Sequence, residues 1–259
     1  MKKTIKLLNL LLLAGLLTSC LSSGVDIVVN KDGSGEIIQT FQIQKEYMAF
    51  MNQGETQTDP NMIDRQALSN MAASMGEGVT LKKVEPADAA SPYGGYKAYF
   101  VFSDISKVRT PSSPMTTPGE LTDSSDWISF AFKKGGTSTL TVMTTGSDQM
   151  DDSDEMEMTE ETTSEEDEGM KEQMKEIYKT MHFWVKIRVN GNISNTNALY
   201  SDQSEVVMMD MNFEKIVEND SLFSHLTASA NADLEDVRDE LEKVGVRIDD
   251  QEKIEISFR

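Results

Sequence analysis

The chain of 259 residues has one cysteine, two histidines and six prolines, and aromatic side chains make up only 7% of it. Each shortage excludes something. One thiol, Cys20, cannot close an internal disulfide, so no disulfide framework holds the fold. The histidines, His182 and His225, form no HExxH pattern and no pair at metal-ligand spacing. No G-x-S-x-G elbow, Walker A loop or dinucleotide-binding glycine pattern occurs. Positive charge is scarce as well: 24 Lys and Arg stand against 44 Asp and Glu, a net charge of −20. That balance argues against nucleic acid as a partner and against electrostatic adsorption to anionic lipid. Beyond the first twenty residues no apolar run is long enough to span a bilayer as a helix.

What is present begins with an address. Lys2, Lys3 and Lys6 precede an apolar stretch from 7 to 17, broken only by Asn9 and Gly15. This is the length of a signal-peptide core and too short for a transmembrane helix. It ends Leu17-Thr18-Ser19-Cys20, which resembles the bacterial lipobox: a leucine, two small residues, then cysteine. The resemblance implies cleavage before Cys20 and lipidation of its thiol, often with a further acyl chain such as palmitate on the new amino group. Two or three chains anchor stably, because each buried methylene contributes roughly 0.8 kcal/mol. The reading is residues 1–19 as signal peptide, and 20–24 as anchor and short tether. The mature chain would carry a charge of about −23, since residues 1–19 hold three lysines and no acid. The expected location is the bacterial cell envelope. Leu21, where a sorting aspartate would retain the protein in the inner membrane, mildly favours the outer membrane if the host has one.

Val25, Ile27 and Val29 alternate, Asp32-Gly33 supplies a turn, and Ile37, Phe41 and Ile43 share a face, which predicts a hairpin. The run 30–36 is faintly like a calcium loop but lacks the spaced acids and the glutamate, so it reads as a turn. Asp59-Pro60 is a helix start, with Met62, Ile63, Leu68 and Met71 near one face up to residue 75. Strands follow at 79–84 and 96–102, then a Pro/Ser/Thr-rich connection over 110–123. A second hairpin joins 127–132 to 139–143 around Gly135-Gly136. These make up a β-rich part, 25–147.

Residues 148–168 hold twelve Asp or Glu and no Lys or Arg. Such a block repels itself and has little to bury, which predicts a disordered excursion; the alternative is a segment that binds cations or a basic partner. A C-terminal α+β part, 169–259, is expected to pack with 25–147. Met174, Ile177, Tyr178 and Met181 repeat at helical spacing. Phe183, Val185, Ile187 and Val189 then alternate against His182, Trp184, Lys186 and Arg188, the pattern of a half-buried strand. Asn190-Gly191 is a turn. Val207, Met209, Met211 and Phe213 read as one strand face, 233–244 as a helix closed by Gly245, and Ile254, Ile256 and Phe258 as a closing strand.

The Asp32-Gly33-Ser34-Gly35 turn, the run Val189-Asn190-Gly191-Asn192-Ile193-Ser194-Asn195-Thr196-Asn197-Ala198 and the strand at 206–213 together resemble the LppM-type domain of bacterial envelope lipoproteins. The resemblance covers residues 25 to about 213. It implies a mostly β module with accompanying helices that takes part in binding at the envelope, and it carries over no catalytic residue. The acidic run and the helical part from Ser221 onward depart from it.

The expected fold is α+β, an antiparallel β-sheet with several packed helices. The expected function is non-enzymatic: an anchored lipoprotein that binds an unidentified envelope protein or ligand near the bilayer, needing no cofactor and no metal. Two alternatives stand beside it, a cation-binding or structural role for the acidic run, and a hydrolase whose site assembles around His225. For binding, the sharpest candidates are Trp184, Lys186 and Arg188, a tryptophan flanked by two cations on the outward face of a strand. The blander alternative is that a helix covers that face, or that its cations pair with neighbouring acids.

Overall fold

In a computed structural model the described residues are 21–45, 61–116, 127–144, 175–176, 178–228 and 234–259. Cys20, the Asp59-Pro60 pair, Met174, Ile177 and the acidic run 148–168 lie outside them.

The alternating apolar residues form strands as expected, but the first strand starts earlier. β1 runs Leu21–Val29, so the residues 21–24 expected to be a tether are already strand. Val25, Ile27 and Val29 are buried, each side chain worth roughly 1.5–3 kcal/mol. The turn to β2 (Gly35–Gln44) is closed by bonds between Asn30 and Ser34 and by Gly33, whose φ of 91° suits only glycine. Asp32 Oδ1 accepts from the Ser34 amide at 3.1 Å and from its hydroxyl at 2.7 Å, so that carboxylate serves the turn.

Helix α1 is shorter than expected, Arg65–Ser74. Its N-cap is Asp64, whose Oδ1 accepts from the amides of Gln66 and Ala67. Leu68, Met71 and Ala72 are buried, while Met62, expected on the same face, precedes the helix at φ 53° and is 40% exposed. β3 (Thr80–Pro86) and β4 (Tyr93–Phe102) follow, then a 3₁₀ turn (Ile105–Lys107) and β5 (Arg109–Pro111). β6 (Trp127–Lys133) and β7 (Ser138–Thr144) make the second hairpin.

β8 (Met181–Val189) carries the clean alternation, with Phe183, Val185, Ile187 and Val189 buried. Met181 is therefore the first residue of a strand and not the end of a helical stripe. β9 (Ile193–Thr196) and β10 (Glu205–Asn212) follow. The predicted face of β10 needs correcting. A bulge between Val207 and Met209 changes its phase, so that Val206, Met209 and Met211 stand opposite the buried Ile187, Val185 and Phe183, whereas Val207 stands opposite Lys186. Phe213 opens helix α2 (Phe213–Val217), capped by Asn212. Then come α3 (Asp220–Ala228), α4 (Leu234–Lys243), β11 (Arg247–Ile248) and β12 (Lys253–Phe258). Gly245 follows α4 at φ 84°, as expected.

Among the described residues the strands form two sheets, of order β11-β10-β8-β1-β2-β4-β3 and β5-β6-β7-β12-β9. One continuous core lies between them, joining Ile27, Ile37, Phe100 and Ile187 of the large sheet to Phe130, Leu140, Ile256 and Phe258 of the small one. The molecule is mostly β. The expectation of several packed helices gives too much weight to them: α1 joins the main core at the β3 side, while α2 and α4 share a small satellite core with Val246. Nor is the large sheet wholly antiparallel, because β1 and β8 run parallel with Leu21 opposite Met181. The Asn-rich run 190–198 is the crossover between sheets. Asn190 donates its amide to Val29, Asn192 exchanges backbone bonds with Arg259, and Asn197 ties β9 to Gln251, Lys253 and Glu255 of the neighbouring strand and its approach.

Candidate functional site

The outer face of the large sheet, away from the core, carries the three residues singled out for binding. Alternation along β8 turns His182, Trp184, Lys186 and Arg188 to this side. β1 contributes Gly24 and Asp26, and β10 contributes Asp210 and Glu205. Trp184 lies across β1 at Gly24, where an added Cβ would collide with the indole ring. Its Nε1 donates to Asp26 Oδ2 at 3.0 Å, and its ring stands 5.0 Å from that of His182.

Both cations are paired. Lys186 Nζ is 2.7 Å from Asp210 Oδ2, and His182 Nε2 is 2.7 Å from the other oxygen of the same carboxylate. Arg188 reaches Glu205 at 2.8 Å and Asp26 at 3.8 Å. The face is thus a network in which three carboxylates pair with two cations, a histidine ring and the indole N–H. Partial burial pushes the Asp210 carboxyl up. The hydrogen bonds from His182 and Lys186, with the charge of Lys186, outweigh that and hold it at about 2. Of the two readings of this face, pairing with neighbouring acids describes the geometry. No described element covers it, and Trp184 remains half-buried.

Elsewhere the candidates separate. His225 stands exposed on α3 and makes no hydrogen bond or ion pair among the described residues. No group of three or more His, Cys, Asp or Glu is placed to hold a metal ion among the described residues, and no described helix is long and apolar enough to cross a membrane. An open groove of about 710 Å³ runs between the end of α1 and the 3₁₀ turn, lined by Ser74, Gly76, Gly78, Ser106, Lys107 and Arg109. Sequence patterning gave no hint of it, because its walls are brought together by tertiary contacts, among them the Gly76–Val108 bridge and the Arg109 bonds to Ser74 and Met75. The groove is shallow: Lys107 pairs with Glu77 at 3.2 Å, and the Arg109 guanidinium stacks 4.1 Å from the Trp127 ring.

The chain matches no family model and no curated protein. Among solved structures it is similar to the NMR structure of the folded domain of the LppM protein of Mycobacterium tuberculosis, at 11% identity over 93% of this chain and 91% of that one, with a TM-score of 0.30. A superposition this loose assigns neither fold nor function.

Proposed function

We propose that this chain is a lipid-anchored protein of the bacterial envelope that recognises a partner near the bilayer and does not transform it. The observation that carries the reading is that Leu21, the residue next to Cys20, already lies in β1. The lipobox-like Leu17-Thr18-Ser19-Cys20 is followed at once by Leu21, the first residue of a strand in the middle of the large sheet. A processed and acylated Cys20 would fasten the folded domain directly to lipid, confining it to partners at that surface and raising their effective concentration. For recognition we assign the outer face around Trp184, Lys186 and Arg188, which no described element covers. Its paired charges make a flat polar surface with one tryptophan at its centre, suited to a partner of mixed charge.

Two measurements test this. Metabolic labelling with a fatty acid should mark the wild type and not Cys20→Ala, whose product should leave the membrane fraction; equal labelling refutes the anchor. A photo-crosslinking residue in place of Arg188, whose side chain is 45% exposed, should capture a discrete partner in intact cells. Capture from Lys133 on the small sheet but not from Arg188 would move recognition to another face.

A further inference from the structure

The way β1 is held fixes how such a domain would stand on its membrane. β1 is the fourth of seven strands, with three on each side. It is paired on both edges from its first residue: Leu21 stands opposite Ile43 of β2 and Met181 of β8, and its amide donates to the Thr180 carbonyl at 3.3 Å. One peptide unit, about 3.8 Å between Cα atoms, separates Leu21 from Cys20. There is no slack between a lipidated cysteine and the sheet.

The registers define which other residues share that end. They are Gln44 and Tyr93, paired across β2 and β4, and His182 and Asn212, paired across β8 and β10. Lys45 fastens the same edge by donating to the carbonyls of Ala89 and Ser91 at 3.0 and 2.7 Å. Ser23 fastens it across the core, with its hydroxyl 2.5 Å from the Pro114 carbonyl. The opposite end carries the Asp32-Gly33 turn, and the Ile105 amide bonds to Gly33, which places the 3₁₀ turn and its groove there as well.

We infer that the end of the sandwich at Leu21, Gln44, Tyr93 and Met181 is a lipid-apposed surface, with the strands rising from the bilayer and the Asp32-Gly33 turn held away from it. The inference rests on the anchoring of Cys20 proposed above. Nine strand residues lift that turn by about 27 Å. Two strands on either side reach that end, β2 and β4 on one and β8 and β10 on the other, about 10 Å in each direction at a spacing of ~4.8 Å, and they meet the lipid whenever the sheet leans in its own plane. A central attachment resists leaning equally both ways, which an edge attachment would not do. Position is set by the anchor and not by charge, so the surface would take zwitterionic lipid as readily as anionic lipid. The groove beside the 3₁₀ turn then faces away from the membrane, and the outer face around Trp184 stands side-on to it.

Because Cys20 is the only cysteine and lipid consumes it, one introduced thiol gives one label. Lys179→Cys marks the Leu21 end and Lys31→Cys the far end; both positions are exposed. The lipidated full chain is reconstituted in phosphatidylcholine vesicles containing a small fraction of lipid with a quenching headgroup. A fluorophore at 179 should be quenched several-fold more than one at 31. Inserting ten Gly/Ser residues between Cys20 and Leu21 should bring the two together while leaving the protein bound. Vesicle-bound protein with equal quenching at 179 and 31 overturns this orientation and leaves the anchor intact. Protein that carries no lipid and does not bind the vesicles overturns both.

Discussion

Gly24 shows how much one residue can decide. It sits in the middle of a strand, where glycine is ordinarily unfavourable, because the Trp184 indole lies flat over it. Gly24→Ala should push the ring off β1 and loosen its 3.0 Å bond to Asp26, at a cost of about 1–3 kcal/mol in chemical denaturation, with a change in tryptophan fluorescence. A neutral substitution would mean the indole is not seated there. Asp210 gives a prediction in pH. Its carboxyl is held at about 2 in the folded chain, below the 3.8 of an unperturbed aspartate. The stability it contributes is complete above about pH 4 and is lost as pH falls through 2, on the order of 1–2 kcal/mol. Asp210→Asn should therefore be less stable than wild type at pH 7, and the gap should close in denaturant melts repeated toward pH 2. A gap that stays constant would show that the pairing with His182 and Lys186 does not form. Trp184, Lys186 and Arg188 were legible as an outward set from alternation alone. Their partners were not, since Asp26 lies 158 residues from Trp184 and only the parallel pairing of β1 with β8 joins them.

Elements were readable where one periodicity ran unbroken and misread where it changed. β8 and β12 keep a strict alternation and bury the residues expected of them. β10 does not, because its bulge shifts the phase by one residue and Asn212 then caps a helix at what looked like one more strand position. Asp59-Pro60 is a good local signal for a helix start, but Asp64 makes the cap of α1. The Asn-Gly turn after β8 was recognised as a turn, yet it carries the chain to the other sheet where a hairpin would have returned it to a neighbour. Backbone bonds of Asn190 and Asn192 hold that crossover, and Asn197 adds side-chain bonds: its amide donates to Gln251 and to the Lys253 carbonyl, and its oxygen accepts from the Glu255 amide at 2.7 Å. Asn197→Ala should cost about 1–2 kcal/mol and raise hydrogen exchange at the Glu255 amide. Unchanged exchange there would mean that the backbone pairing of β9 with β12 suffices.

For the whole molecule, the two sheets share a core that takes residues from both sides of the acidic run, so the run interrupts the sequence without dividing the fold. β7 ends at Thr144, whose amide bonds to Glu252, and β8 begins at Met181, so the chain leaves from one sheet and re-enters in the other. Replacing 148–168 with a Gly/Ser linker of equal length removes twelve like charges from a chain of net charge −20. The melting temperature should stay within a few degrees or rise at low salt, as self-repulsion is relieved. Loss of cooperative unfolding would show that these residues belong to the fold. The central claim concerns the other end of the chain, where a lipobox-like sequence runs without a spacer into the middle strand of the large sheet. The most direct test is the mass of the N-terminal peptide from protein purified out of the membrane fraction. The predicted peptide begins at Cys20 and carries a diacylglyceryl group on sulfur, with or without a further acyl chain on nitrogen. A peptide that retains Met1, or that begins elsewhere with Cys20 unmodified, would contradict it.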